Sequence, residues 1–176
     1  MTEQLNFPAP DEAIRRQYLE LVGEIDLCVR KLTEGRLSSR IRCRPGCADC
    51  CMTFSVMPLE AAMLAQALTR QLLTVVRPPD RCLFLRDGLC TIYALRPVIC
   101  RTQGLALAYI DEAAERIEVS ACPLNFPEDA PLEHDDLLFM DLFNERLAAL
   151  NLRYCRLNGL APERRVALAD LLTPSA

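Results

Sequence analysis

Cys43-Arg44-Pro45-Gly46-Cys47-Ala48-Asp49-Cys50-Cys51 places four thiols within nine residues, more than the packing of a core calls for. Such a run is a soft-metal chelate or a redox centre. Pro45-Gly46 lets the chain turn sharply between Cys43 and Cys47, so that loop N–H groups face the sulfurs, where they stabilise thiolates and tune a reduction potential. Further along, Cys82, Cys90 and Cys100 arrive singly, and Cys122-Pro123 adds an eighth thiol outside any convincing helix. Eight is the number that two tetrahedral four-thiolate sites need, whether for zinc or for a cubane iron–sulfur cluster. In extended backbone, consecutive side chains point to opposite sides, so adjacent Cys50 and Cys51 serve two centres more easily than one. Either two sites follow, or one site with a spare thiol beside it. In the two-site arrangement Cys43, Cys47 and Cys50 supply three ligands of one centre. Cys51, Cys82 and Cys90 contribute to the other, and Cys100 and Cys122 complete the sets in an order the sequence leaves open.

The chain around this run has 176 residues, about half of them hydrophobic (51%), which is enough apolar material for one core and one domain. Its net charge of -4 and scattered arginines carry no basic block of the kind that attracts phosphate, so nucleic acid is not an expected partner. The first ten residues have no cationic start followed by an apolar run, and no segment is apolar for long enough to span a bilayer. These features predict a soluble, cytoplasmic protein without a membrane partner. In that reducing compartment ten cysteines point to metal or redox chemistry rather than to a disulfide framework.

Helical periodicity over residues 11 to 33 puts Ile14, Tyr18, Leu21, Val22, Ile25, Val29 and Leu32 on one stripe, with Arg15, Arg16, Glu20, Glu24 and Arg30 facing away. Cys28 lies beside that stripe and reads as a small core hydrophobe. Pro58 followed by strong helix formers predicts a second helix to about Leu73, broken by Arg77-Pro78-Pro79. Asp87-Gly88 is a tight-turn signal for a short hairpin that brings Cys82 and Cys90 together. Residues 105 to 121 alternate as a second hairpin would, with helix as the competing reading. A long helix starts between Pro131 and Asp135 and runs to about Leu157, carrying Leu138, Leu142, Leu147, Leu150, Tyr154 and a buried or partly buried Cys155, and Asn158-Gly159 stops it. Pro162-Glu163 opens a last short helix with Val166, Ala169 and Leu172. The expected fold is mainly α: a small helical domain, with flanks at 11–33 and 131–172, around a loop-rich cysteine core at about 43–123 that holds one or two short β-hairpins.

Cys43 to Cys51, together with Cys90-Thr-Ile-Tyr93-Ala-Leu-Arg96-Pro97-Val-Ile-Cys100-Arg101, resembles the leading cluster and second signature of the YkgJ-type cysteine-cluster proteins, the putative zinc- or iron-chelating domain. The resemblance covers about residues 43 to 123 and implies metal chelation by the shared cysteines. A related segment in flagellin lysine methylases resembles an iron–sulfur module, and the flanks here carry no sign of that larger enzyme.

The three-then-two spacing of Cys43, Cys47 and Cys50 also matches the cluster triad of radical S-adenosylmethionine enzymes, but the rest of the chain lacks the repeated strand–helix units of their barrel. A cysteine hydrolase needs a base, and the only histidine, His134, sits in an acidic stretch suited to a helix start. No catalytic residue is therefore assigned. Two functions remain: an iron–sulfur protein of the 4Fe-4S form, serving electron transfer with a redox partner, or a zinc-binding structural, delivery or storage protein. The single arrival of the later thiols, unlike the paired spacing of zinc fingers, favours iron–sulfur. Arg44, Arg96 and Arg101 stand next to ligand candidates in sequence, where a positive charge offsets a negatively charged four-thiolate site. Arg96 and Arg101 are the cofactor-facing candidates.

Overall fold

The computed structural model describes residues 7–68 and 81–172. Helix α1 (Glu12–Arg30) begins where the Asp11 carboxylate accepts the Ile14 N–H at 2.8 Å, the usual way to satisfy a free donor of a first turn. It buries Ile14, Tyr18, Leu21, Val22 and Ile25, and Arg15, Arg16, Glu20, Glu24 and Arg30 stay exposed. A π-helical stretch, Lys31–Arg36, extends it to a kink at Gly35. Helix α2 (Pro58–Ala67) ends at Leu68, whose backbone is extended, so it is shorter than the proline-to-Leu73 reading. Residues 69–73 and the Arg77-Pro78-Pro79 breaker lie outside the described residues.

The rest of the chain is not mainly α, which corrects the expected fold class. The described residues hold three small sheets beside the helices, in a mixed α/β fold. Strands β1 (Ser55–Val56) and β7 (Val166–Ala167) pair antiparallel, and β2 (Leu85–Arg86) and β3 (Leu89–Cys90) form the hairpin at Asp87-Gly88. Strands β4 (Ala106–Asp111) and β5 (Arg116–Ala121) form the second hairpin, in favour of the alternating reading of 105 to 121. A third strand, β6 (Leu137–Phe139), joins β4 in parallel. Two expected helical segments are thus strands. Leu137-Leu138-Phe139 is apolar on both faces and satisfies its backbone against β4, so the long helix α4 (Asp141–Asn158) cannot begin before Asp141. Leu142 in its first turn is 72% exposed and lies off the core stripe. The segment after Pro162 pairs through Val166 with β1 and ends in a 3-10 turn, Leu168–Leu172, because the distant β1 edge supplies hydrogen bonds that local helix signals do not reveal.

Helix α1 packs on α4 and on the short helix α3 (Val98–Arg101), and α2 packs on α4. Buried polar groups fix these layers where apolar contact alone leaves them free to slide. Asn151 of α4 accepts the Leu59 N–H at 3.1 Å and donates to the Pro162 carbonyl at 2.9 Å. Glu60 of α2, 3% exposed, accepts the Val98 N–H at 2.9 Å and so seats the helix that carries Cys100.

Burial raises the Glu60 pKa above its ordinary 4.5. Its folded-state stabilisation is complete below that ordinary value and declines as pH rises towards the folded one, because the unfolded carboxyl ionises first. Glu60→Gln keeps an acceptor for Val98 but has no proton to lose. Urea unfolding across the acid-to-neutral range should show a stability decline in the wild type that is absent in the variant. Equal slopes would show that burial does not shift the Glu60 pKa.

Candidate metal centre

Cys43 to Cys51 are laid out by two successive reverse turns. The Cys47 N–H donates to the Arg44 carbonyl and the Cys51 N–H to the Ala48 carbonyl, each at 2.9 Å. Gly46 has φ +93°, a conformation that side chains disfavour, so Pro45-Gly46 does turn the chain between Cys43 and Cys47. The β2–β3 hairpin docks on this turn. Asp87 (φ 48°) and Gly88 (φ 77°) make a left-handed two-residue turn, and a Cβ on Gly88 would stand 3.3 Å from the Gly46 Cα. The Cys82 N–H donates to the Cys51 carbonyl at 3.2 Å, tying the base of the hairpin to the end of the cysteine run.

The thiols fall into two neighbourhoods that meet between Cys50 and Cys51. Burial pushes the Cys50 thiol up to about 11, with Cys51, Cys43 and Cys47 adding to the effect. The Cys51 thiol is raised first by burial and then by Cys82 and Cys90. Cys100 is pushed up to about 12, by burial first and by Cys82 and Cys90 next. Cys43, Cys47 and Cys50 therefore share one neighbourhood, and Cys51, Cys82, Cys90 and Cys100 share the other. Cys50 and Cys51 also influence each other across the boundary. Among the described residues no three cysteine, histidine or carboxylate side chains are already drawn into a closed chelate. The donors are neighbours without forming a finished cage.

Cys122 heads a turn that leads back towards Cys43. Its carbonyl accepts the N–H groups of Asn125 (3.1 Å) and Phe126 (2.8 Å), and this turn carries the buried Asn125 carboxamide to Cys43. Asn125 Nδ2 donates to the Gly104 carbonyl at 2.6 Å and lies 3.4 Å from Cys43 Sγ, while Oδ1 accepts the Arg42 N–H at 2.7 Å. Gly104, at φ +94°, completes the cradle: a Cβ there would stand 2.6 Å from Cys43 Sγ. Neither residue stands out in the sequence. Gly104 is the fainter omission, since a lone glycine between a cysteine helix and a strand marks a close approach. Cys28 packs half-buried against the core and Cys155 is fully buried, so both lie apart from the two groups.

The two candidate arginines take different places. Arg101 donates to Asp26 at 2.7 Å and to the Ala94 and Arg96 carbonyls at 2.8 and 2.5 Å, binding α1 to the segment before α3. Arg96 lies nearer the thiols. Its guanidinium covers the Tyr93 ring at 3.7 Å, donates to the Cys100 carbonyl at 3.2 Å, and opposes the rise in the Cys51 and Cys100 pKa values. Arg44 is exposed and, with Arg42, Asp49 and Cys47, lines an open hollow of about 610 Å³. His134 is exposed too, its ring 4.9 Å from that of Phe139.

Thiols grouped in this way on glycine-shaped loops define a protein that binds metal through cysteine. Residues 42–123 match the model of the family described as the putative zinc- or iron-chelating domain. That segment opens one residue before Cys43 and closes one residue after Cys122, enclosing all eight candidate thiols. No curated protein and no solved structure matches the chain. No helix among the described residues is long and apolar enough to cross a membrane.

Gly104→Ala adds a methyl where Cys43 Sγ stands and forces a side chain into a left-handed conformation, at a cost of about 1 to 3 kcal/mol. The variant should fold less stably and retain less metal per chain, as measured by urea unfolding and elemental analysis. Wild-type values for both would show that Gly104 does not shape the Cys43 position.

Proposed function

We propose that the eight thiols hold two four-sulfur centres, Cys43, Cys47, Cys50 and Cys122 in one and Cys51, Cys82, Cys90 and Cys100 in the other, and that the centres are iron–sulfur clusters. The division of the thiols at Cys50 and Cys51 carries this reading. The donor set is soft and suits such clusters. When bound, a cluster supplies reversible electron uptake, and the protein supplies the means to hold and tune it. Arg96 offsets thiolate charge in the second group, and Asn125 fixes Cys43 in the first. Raised thiol pKa values at Cys50, Cys51, Cys82 and Cys100 mean that loading releases protons as the thiols become thiolates. The hollow beside Cys47 leaves the first group open to a redox partner protein, and a reducing, cytoplasmic setting keeps unloaded thiols free.

Purified without oxygen, the protein should be brown, with equal amounts of iron and acid-labile sulfide and visible absorption that bleaches on reduction. Stoichiometric zinc in a colourless protein without sulfide would replace this reading with a zinc-binding structural, delivery or storage role. Cys47→Ser and Cys90→Ser should each remove about half the metal, since each takes one ligand from a different centre. Cys28→Ser and Cys155→Ser should retain all of it, with at most about 1 to 3 kcal/mol lost for a buried hydroxyl without a partner. Complete metal loss in either member of the first pair would merge the two centres into one.

A further inference from the structure

Strand β5 is an outer strand of its sheet, whose order is β5-β4-β6, and no segment among the described residues pairs with its far side. Hydrogen bonds on β4 reveal which β5 groups are free. The Ile110 N–H donates to the Asp141 carboxylate, and the Ala108 carbonyl accepts the Met140 N–H at 3.0 Å, so these residues direct their backbone away from β5. Their register partners, Ile117 and Val119, must then direct their own N–H and C=O groups outward, as must Ala121 opposite Ala106. Three consecutive outward donor–acceptor sets face solvent on a strand without proline, lysine or a bulge, the devices that commonly protect an edge.

The side chains on that edge are also unusual for a solvated strand. Ile117 and Val119 are 48% and 45% exposed, beside Ile110 at 56%. Val119 and Ala121 continue into a groove of about 370 Å³ lined by Pro123, Phe126, Pro127 and Leu132. On the opposite face Glu118 is bonded to Arg116 of its own strand at 2.6 Å, so the edge presents no uncompensated charge to an approaching strand.

We propose that β5 pairs antiparallel with β5 of a second copy of this chain, about a two-fold axis at Val119, joining the two three-stranded sheets into one. The outward groups decide the register. Val119 faces the partner copy's Val119, and Ile117 and Ala121 face its Ala121 and Ile117, which satisfies all three sets on each strand. Opposed residues share a face, so the incoming Ile117 lies over Ala121 at the groove and covers its apolar wall. Glu118 faces Ser120 rather than another carboxylate. A strand-to-strand contact of this kind is self-complementary and closes at two subunits.

Light scattering and sedimentation of the full chain, as purified with its metal, should give about twice the 19.8 kDa chain mass. Backbone amides of Ile117, Val119 and Ala121 should exchange with deuterium about tenfold more slowly in concentrated than in dilute protein. Val119→Lys places like charges across the axis, and Val119→Pro removes one outward N–H while leaving the bonds to β4 in place. Each variant should weaken dimerisation about a hundredfold while keeping wild-type metal content, which reports that the fold is intact. A wild-type monomer at high concentration, or a dimer with freely exchanging β5 amides, would overturn the proposal.

Discussion

The two groups of thiols meet at one pair of adjacent residues, Cys50 and Cys51, and the placement of every other cysteine loop depends on that junction. The first thiol neighbours Cys43 and Cys47, and the second neighbours Cys82 and Cys90, which in turn neighbour Cys100. The chain must therefore bring one loop to each side of a single peptide bond. Two reverse turns supply the first side and the Asp87-Gly88 hairpin the second. The meeting of Gly46 and Gly88 shows how closely the two sides approach. A side chain at Gly88 presses on the Gly46 backbone and pushes the hairpin away from the run.

Loops of this kind have little apolar surface with which to hold themselves, so their placement falls to buried polar fasteners. Glu60 seats the short helix of Cys100, Arg101 fixes the preceding turn to Asp26 of α1, and Asn125 closes the Cys122 side against Arg42 and Gly104. Each satisfies backbone groups that would otherwise be costly to bury. The frame does not by itself complete a chelate. It holds the thiols in groups while leaving their final closure to whatever binds, and this is the arrangement that couples metal uptake to folding.

The thiol-bearing loops were the part most legible in the sequence, because their signals are local: Pro45-Gly46, Asp87-Gly88 and the spacing of the cysteines act over a few residues. The α1 stripe was equally local. Elements that depend on distant partners were not legible. Leu137 to Phe139 reads as the start of a helix until β4 is there to pair with it, and Val166 reads as helical until β1 offers its edge. Asn125 went unnoticed for the same reason, since its partners Arg42 and Gly104 are far away in the chain. Arg101 shows the converse limit: adjacency to Cys100 suggested a role at the metal, whereas α1 supplies Asp26 to draw its side chain elsewhere.

X-ray absorption at the metal edge, on protein purified without oxygen, tests the central claim most directly by reading the atoms around the metal. Two four-thiolate centres require an innermost shell of sulfur alone, about four sulfurs to each metal. A nitrogen or oxygen ligand in that shell would contradict the account, because it would show that the eight thiols do not complete both sets.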